Sequence, residues 1–428
     1  MIRLINASAH NTGLPAQSVH CIVTSPPYWG LRAYAGEQRI EWPTVTYSPM
    51  PGMRYEWGLD DDGEPALIGT PDGPGAYQIT IPAMICGLGE ESTPEAYIGH
   101  LILVMREMWR VLRDDGTCFV NLGDSYAASP GQRKDTDAAG AKQQSNNGSV
   151  GAPSRHADSL KPKDLCLIPA RFALAAQADG WYIRNDIIWA KPNPMPESVT
   201  DRCTKAHEYV WLMAKSQRYF YDAEAIKEET SPETFARALR GVGENHKNVN
   251  GAPGQPVHTM SSPRLHGEGA PANPTRNRRT VWNIATRPYA GAHFATWPPD
   301  LVRPMIQAGT SARGVCPACG APWQRVVEWT GHVNQREPAH VPGNSATKTD
   351  STGWQPTTVS TNKWIQTCDC PAADPIPATV LDPFNGSGTS GTVALDLGRA
   401  YIGVDISKEY VTELAEERIG GTQIGFGL

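Results

Sequence analysis

Two segments at opposite ends of the sequence carry residue types that could do chemistry. The first, Thr24-Ser25-Pro26-Pro27-Tyr28-Trp29-Gly30, follows a short apolar run, His20-Cys21-Ile22-Val23. Prolines cannot continue a central sheet ladder, so a strand must stop there. They also remove two backbone donors and leave the Pro26 carbonyl as an acceptor, beside the Ser25 hydroxyl and the flat face of Tyr28. Acceptors next to an aromatic ring suit an exocyclic amine on a base turned out of its stack. Such an amine is a weak nucleophile because its lone pair is delocalised into the ring. Holding it in line with an electrophile is the chief lever available. A Pro-Pro turn over a buried tyrosine would look the same in isolation. Ser25, Pro26, Pro27 and Tyr28 are the candidate catalytic residues.

The second segment, Val380-Leu381-Asp382-Pro383-Phe384-Asn385-Gly386-Ser387-Gly388-Thr389, lies between a predicted strand and a predicted helix. Glycines there let the backbone approach a ligand at the carboxyl edge of a parallel sheet. Asp405 ends the next strand, at a spacing that suits a carboxylate accepting from both hydroxyls of a ribose. No Gly-Lys-Ser/Thr follows, so a nucleoside such as S-adenosylmethionine is favoured over a diphosphate. A tight turn without a ligand is the plainer alternative.

Both segments need a sheet to bring them together. MIRLINA and SVHCIVT read as strands. Residues 35–90 are rich in Gly, Pro and Trp and read as an irregular excursion. Ser92 or Thr93 caps a helix with Pro94 in its first turn. Tyr97, Leu101, Val104, Met105, Met108, Trp109 and Leu112 recur along it at helical spacing. A turn at Asp114-Asp115-Gly116 leads into the strand at 117–122. A helix over 168–179 and two β-rich runs, 181–190 and 208–215, follow. The last unit is strand (379–381), glycine loop, helix (391–398), strand (401–404), then an amphipathic helix to about 418.

Together the two segments resemble the amino-methyltransferases of DNA. The first resembles their catalytic (D/N/S)PP(Y/F/W) motif and the second their cofactor-binding FxGxG motif. The likeness continues at 191–199 (Lys-Pro-Asn-Pro-Met-Pro-Glu-Ser-Val), 201–202, 207–210 (His-Glu-Tyr-Val), 219–223, 282–288 and 292–298. With the catalytic motif first and the cofactor motif last, the order resembles the circularly permuted arrangement that the family calls its beta class. The resemblance implies an α/β fold: a permuted, Rossmann-like, mostly parallel seven-stranded sheet with an antiparallel hairpin at its edge, inserted loops and a small zinc-binding insert. S-adenosylmethionine would be held by Asp382, Phe384, Asn385, Gly386, Gly388 and Asp405, with His293 and Phe294 from the preceding segment. One departure concerns the acidic step that members often carry after the MIRLINA-type strand, where Asn6-Ala7-Ser8 stands here. Ser before Pro-Pro-Tyr resembles members acting on the N4 amine of cytosine; Asp is commoner in those acting on the N6 amine of adenine. Cytosine N4 is therefore the favoured target and adenine N6 the alternative. A catalytically silent DNA-binding module is a remote third, against which the intact motifs argue.

Cys316-Pro317-Ala318-Cys319-Gly320 has the form of a zinc knuckle, and Cys368-Asp369-Cys370 could complete a four-thiolate site. With four thiolates no coordination position stays open, so the metal would be structural. A reduced, metal-free loop is the alternative, and His332 and His340 read as solvated.

The formal net charge of −6 does not advertise a nucleic-acid partner. Local clusters must meet phosphates, and Arg276, Arg278 and Arg279 are the tightest. The tract 133–163, with Arg133, Lys134, Lys142, Arg155, Lys161 and Lys163, reads nearly as well as a solvated loop. The resulting organisation is a catalytic half over 1–126, a mobile insert loop over 127–163, and a core helix with edge hairpin over 164–227. A target-recognition region over 228–280, a pre-cofactor segment over 281–312, a zinc insert over 313–374 and a cofactor-binding half over 375–420 complete it. The expected partner is double-stranded DNA with base flipping, and the resemblance admits a homodimer and a cognate restriction endonuclease. No apolar run is long enough for a membrane span, and nine scattered cysteines suit a reducing, cytoplasmic setting.

Overall fold

The computed structural model describes residues 1–30, 38–51, 56–59, 65–68, 77–127, 160–233, 275–287, 297–329 and 358–423. Contacts divide the chain into two units: a larger one of Met1–Tyr221, Arg279–Pro322 and Cys368–Leu428, and a smaller one of Asp222–Arg278 and Trp323–Thr367.

The larger unit is built on one eight-stranded sheet. In chain order its strands are β1 (Ile2–Asn6), β2 (Val19–Thr24), β3 (Leu112–Leu122), β4 (Tyr182–Ala190), β5 (His207–Ala214), β6 (Val281–Asn283), β7 (Thr379–Asp382) and β8 (Ala400–Asp405). Across the sheet they run β1-β8-β7-β2-β3-β5-β4-β6. Only β5 is reversed: it pairs antiparallel with β3 and β4, and every other pairing is parallel. The carboxyl ends of β1, β2, β3, β4, β7 and β8 therefore share one edge with the start of β5. The C-terminal strands fill the middle, as the permuted order requires. The sheet has eight strands where seven were expected, because β6 pairs with β4 through Ile188↔Val281 and its neighbours and takes the outer position.

Central strands must be apolar on both faces because helices cover both. Accordingly Cys21, Ile22 and Val23 of β2 and Val380 and Leu381 of β7 are fully buried. Helix α1 (Pro94–Val111) starts where Thr93 caps it by accepting from the Ala96 N–H at 3.2 Å, with Pro94 in the first turn. Tyr97, Leu101, Val104, Met105 and Met108 are its buried stripe. Further helices are α2 (Ile168–Ala178), α3 (Pro299–Gly309), α4 (Thr389–Asp396) and α5 (Glu416–Gln423), the last entered through a π-helical turn at Tyr410–Ala415.

The described residues within 35–90 form paired strands where their composition suggests an irregular excursion. Ile40–Trp42 pairs with Met84–Cys86 and Val45–Tyr47 with Ile79–Ile81. Val45 and Ile81 press on Gly99 of α1, where an added Cβ would lie 3.0 Å from each. The paired strands thus cover a helix face that would otherwise meet water.

In the smaller unit Glu228–Glu229 pairs with Thr275–Arg276, and Gln324–Trp329 with Thr358–Ile365. Arg325 binds Asp222 at 3.0 Å and lies 4.4 Å over the Trp364 ring. The expected target-recognition region as far as Arg278 and the inner part of the expected zinc insert thus fall in one unit, while Arg279 and all four candidate zinc ligands fall in the other. Among the described residues no helix is long and apolar enough to cross a membrane.

Candidate active site

The loop after β2 is held from three sides. Tyr97 of α1 donates its hydroxyl to the Pro27 carbonyl at 2.6 Å. The Trp29 indole donates to the Glu91 carbonyl at 2.8 Å, and the Gly30 N–H to the Gly89 carbonyl at 2.9 Å. Gly89, at φ +92°, would place a Cβ 2.8 Å from the Tyr28 carbonyl, so glycine is needed both for conformation and for the close approach. The buried Glu91 carboxylate accepts from the Gly89 N–H and pairs with His100 Nδ1 at 2.8 Å.

Within this frame Ser25 and Tyr28 face Asn121, near the end of β3. Ser25 Oγ lies 3.3 Å and the Tyr28 hydroxyl 2.9 Å from Asn121 Oδ1. The Asn121 amide donates to the Tyr209 carbonyl at 3.1 Å, which aims its oxygen at the loop. The Tyr28 hydroxyl also lies 2.7 Å from Glu208 Oε2, and Lys191 pairs with the other Glu208 oxygen. Gly123 lies against the Tyr28 ring, where an added Cβ would sit 2.6 Å from a ring carbon.

The glycine loop stands at the same sheet edge. Thr24 Oγ1 donates to Asp382 Oδ1 at 2.7 Å and joins the ends of β2 and β7. Ser390 donates to the other Asp382 oxygen at 2.7 Å, and the Phe384 N–H to Oδ1 at 3.1 Å. Burial pushes the Asp382 carboxyl up to about 6 against those three donors. Asp405 accepts from the N–H groups of Gly386 and Ser407 and is raised by burial. The Ile406 N–H also donates to this carboxylate, which leaves it room to accept from one further donor.

The two glycines do different work. At Gly386, φ is +48° and the nearest atom to an added Cβ would be a carbonyl oxygen 4.0 Å away, so the space above it is open. At Gly388, φ is +78° and an added Cβ would meet Ile419 at 2.9 Å, so this glycine serves helix packing. Asn385 turns inward and accepts from the Tyr401 hydroxyl at 2.7 Å, which makes it a brace for β8. Phe384 is half-buried against the core. Asn6 donates to the Asp405 and Ile406 carbonyls, which ties β1 to β8. His293 and Phe294 lie outside the described residues.

The four cysteines gather at the opposite edge of the larger unit. The sulfurs of Cys316, Cys319, Cys368 and Cys370 all lie within 4.8 Å of one another. A tetrahedral ion with bonds of about 2.3 Å needs sulfurs about 3.8 Å apart, which this arrangement accommodates. The backbone N–H groups of Cys319 and Ala318 donate to the Cys316 sulfur and lower its thiol to about 7. Gly320, at φ +73°, closes the knuckle. Arg113 donates to the Cys319 carbonyl at 2.8 Å. His20 accepts from the Thr379 N–H at Nδ1, so its Nε2 donates to the Gly320 carbonyl at 3.1 Å. Burial and the Arg113 charge lower His20 to about 4, so it stays neutral in that role.

Of the three arginines, Arg276 pairs with Glu228 at 2.8 Å in the smaller unit, Arg278 is half-buried and Arg279 is exposed. Sequence reasoning missed Asn121, Gly123, Lys191 and Glu208 as site residues. His-Glu-Tyr-Val and Lys-Pro-Asn-Pro had marked the segments of the last two without assigning the side chains a task.

A family model described as DNA methylase, of N6/N4 type, matches residues 19–316 and 373–417. The chain is 31% identical over 414 residues to the Type II methyltransferase M.Cfr9I of Citrobacter freundii, covering 95% of this chain and 83% of the relative. It is 30% identical over 407 residues to M.SmaI of Serratia marcescens, covering 95% and 86%. Among solved structures, PvuII DNA methyltransferase (cytosine-N4-specific) aligns over 98% of this chain and 90% of its own, at 13% identity and a TM-score of 0.44. With its Ser-Pro-Pro-Tyr loop first, its glycine loop last and both on one sheet edge, the chain belongs to the N6/N4 DNA methylase family.

Proposed function

We propose that the chain transfers a methyl group from S-adenosylmethionine to the N4 amine of cytosine in double-stranded DNA, with the target base turned out of the helix. The observation that carries this reading is the convergence of Ser25, Asn121 and Tyr28 on one edge of the sheet, joined to the glycine loop through Thr24 and Asp382. S-adenosylmethionine supplies an activated methyl on a sulfonium. Gly386 leaves room for it, and Asp405 accepts from its ribose. Ser25 Oγ and the Pro26 carbonyl accept from the two amine hydrogens and turn the nitrogen lone pair toward the methyl. Tyr28 stacks on the flipped base. With the donor bound, the nitrogen–carbon bond would form as the sulfur–carbon bond breaks, S-adenosylhomocysteine would leave as a neutral thioether, and the methylated amine would give up one proton to solvent. Ser25 at the head of the motif supports cytosine as the target.

Arg276, Arg278 and Arg279 are proposed phosphate contacts, with exposed Arg279 the best placed of the three to meet solvent-borne anions. The Type II names of the relatives support a companion endonuclease that reads the same sequence. We also infer that Cys316, Cys319, Cys368 and Cys370 hold one structural zinc. The paired sulfurs, the N–H donors to Cys316 and the turn at Gly320 support it.

Nucleoside mass spectrometry of DNA from cells expressing the chain tests the reaction. N4-methylcytosine is expected. N6-methyladenine would overturn the choice of base, and 5-methylcytosine would overturn the mechanism, since that product requires attack by a cysteine on ring carbon.

A further inference from the structure

The charged pair behind the catalytic loop is placed to do more than hold two strands together. Glu208 is the second residue of β5, opposite Trp189 of β4, and Lys191 follows β4 directly, so the two side chains meet diagonally across the antiparallel pair at the catalytic edge. Their side chains are 15% and 19% exposed, which sets them apart from the solvated ion pairs that contribute little. Lys191 takes one Glu208 oxygen and lies 4.3 Å over the Trp189 ring, so the lysine is itself held. The second Glu208 oxygen is directed at the Tyr28 hydroxyl, 2.7 Å away.

The phenolic proton of Tyr28 has Glu208 Oε2 at 2.7 Å and Asn121 Oδ1 at 2.9 Å in reach, with Ser25 Oγ farther off at 3.4 Å. The carboxylate is nearer and charged, and charge-assisted hydrogen bonds are the stronger kind. With the proton on the Glu208 side, Asn121 Oδ1 is left to accept from Ser25. Gly123 closes on the ring from below. The hydroxyl is therefore the point at which the plane of the ring is fixed.

We propose that Glu208, held by Lys191, is a positioning residue for methyl transfer: it fixes the Tyr28 ring for stacking and leaves Asn121 to orient Ser25. This rests on Tyr28 being the residue that faces the target base. It is indifferent to whether that base is cytosine or adenine. A flipped base stacked on a ring free to rock would meet the methyl donor out of line, and alignment is the main source of rate in such a transfer. The loss should therefore fall on kcat.

A double-mutant cycle on the full chain tests this, with total methyl label on unmodified DNA as the readout. Tyr28→Phe and Glu208→Ala should each lower kcat by about ten- to a hundredfold, the range for losing a charge-assisted hydrogen bond. Calorimetric affinity for S-adenosylmethionine should not change. The double variant should be no slower than the slower single one, because both remove the same contact. Glu208→Gln keeps an acceptor for the hydroxyl and should recover most of the rate, which also guards against a folding defect in Glu208→Ala. Multiplicative losses in the double variant, or a loss confined to KM for DNA, would overturn the proposal. Label counts methyl on any base, so an error in the choice of cytosine leaves this result unmoved and shows only in the nucleoside analysis.

Discussion

Thr24 and Asp382 stand 358 positions apart in the chain and 2.7 Å apart at the edge of the sheet. The proposed catalytic loop begins one residue after Thr24, and the glycine loop one residue after Asp382. This hydrogen bond extends the parallel pairing of β2 with β7 to the point where the two loops leave the sheet. Thr24→Val would leave a buried carboxylate oxygen short of a donor, at a cost of about 1–3 kcal/mol. Urea unfolding should show that loss, and kcat should fall further than KM for S-adenosylmethionine rises. A variant as active and as stable as the wild type would remove Thr24 from this role.

The two glycines of the cofactor loop should respond differently to the same change. Gly386→Val projects into open space above the loop and should weaken S-adenosylmethionine binding in calorimetry by at least tenfold, about 1.4 kcal/mol. Gly388→Val collides with Ile419, so its main effect should be a lower unfolding temperature. Equal effects of the two on affinity would argue against Gly386 as the ligand-facing position.

Gly123→Ala tests the ring from the opposite side. A Cβ there would lie 2.6 Å from a Tyr28 ring carbon, and the ring would have to move. Base stacking is worth about 1–3 kcal/mol by alanine substitution, so the displaced ring should lose about one to two orders of magnitude in methyl transfer. Tyr28→Ala should lose at least as much. Cofactor affinity should be retained in both, and a fall in it would place the ring nearer the methyl donor than the base.

Asp382 gives the fold a pH dependence of defined sign. Its carboxyl is raised from 3.8 to about 6, so the folded chain binds this proton more tightly than the unfolded one. This contribution to stability is complete below the unfolded value and is lost as pH rises through the folded one. Its limit is about 3 kcal/mol. Asp382→Asn lacks the titration, so between pH 4 and pH 7 the wild type should lose stability relative to the variant in urea unfolding. Parallel profiles would show that the three donors on Asp382 offset its burial completely.

Purified chain should carry about one zinc per molecule by elemental analysis when prepared without chelator. Cys316→Ser should lower the unfolding temperature and the metal content while leaving the kcat of the folded fraction little changed, because the cluster lies at the edge of the sheet away from Tyr28. Metal-free wild type with an unaltered unfolding temperature would remove zinc from the account.

The legible parts of the site were those whose signal is local. A strand that stops at Pro-Pro, and a strand, glycine loop, helix, strand and Asp in succession, are written in contiguous residues. So were the cap at Thr93 and the two hairpin strands. Asn121 and Glu208 were not legible because they meet Tyr28 only through the register of β3 with β5, which sets Asn121 opposite Val210 and Leu122 opposite Tyr209. The place of Asn385 in the glycine loop is legible, but the hydrogen bond by which Tyr401 draws its side chain into the sheet is not. That contact lies across a strand pairing to which periodicity is blind. Strand β6 escaped notice because three residues, Val-Trp-Asn, are too few to show alternation.

The permuted strand order has a consequence for synthesis. Strand β7 fits between β2 and β8, and β8 between β7 and β1, yet both follow every other strand in the chain. Until they emerge from the ribosome, β1 and β2 each present an unpaired edge toward the gap, and the apolar faces of Cys21, Ile22 and Val23 have no neighbour on that side. Unpaired edges in a waiting intermediate invite pairing with the wrong partner. The segment from Thr379 to Asp405 therefore decides whether the earlier strands complete a sheet or aggregate, and conditions that slow elongation past β6 should prolong that exposure.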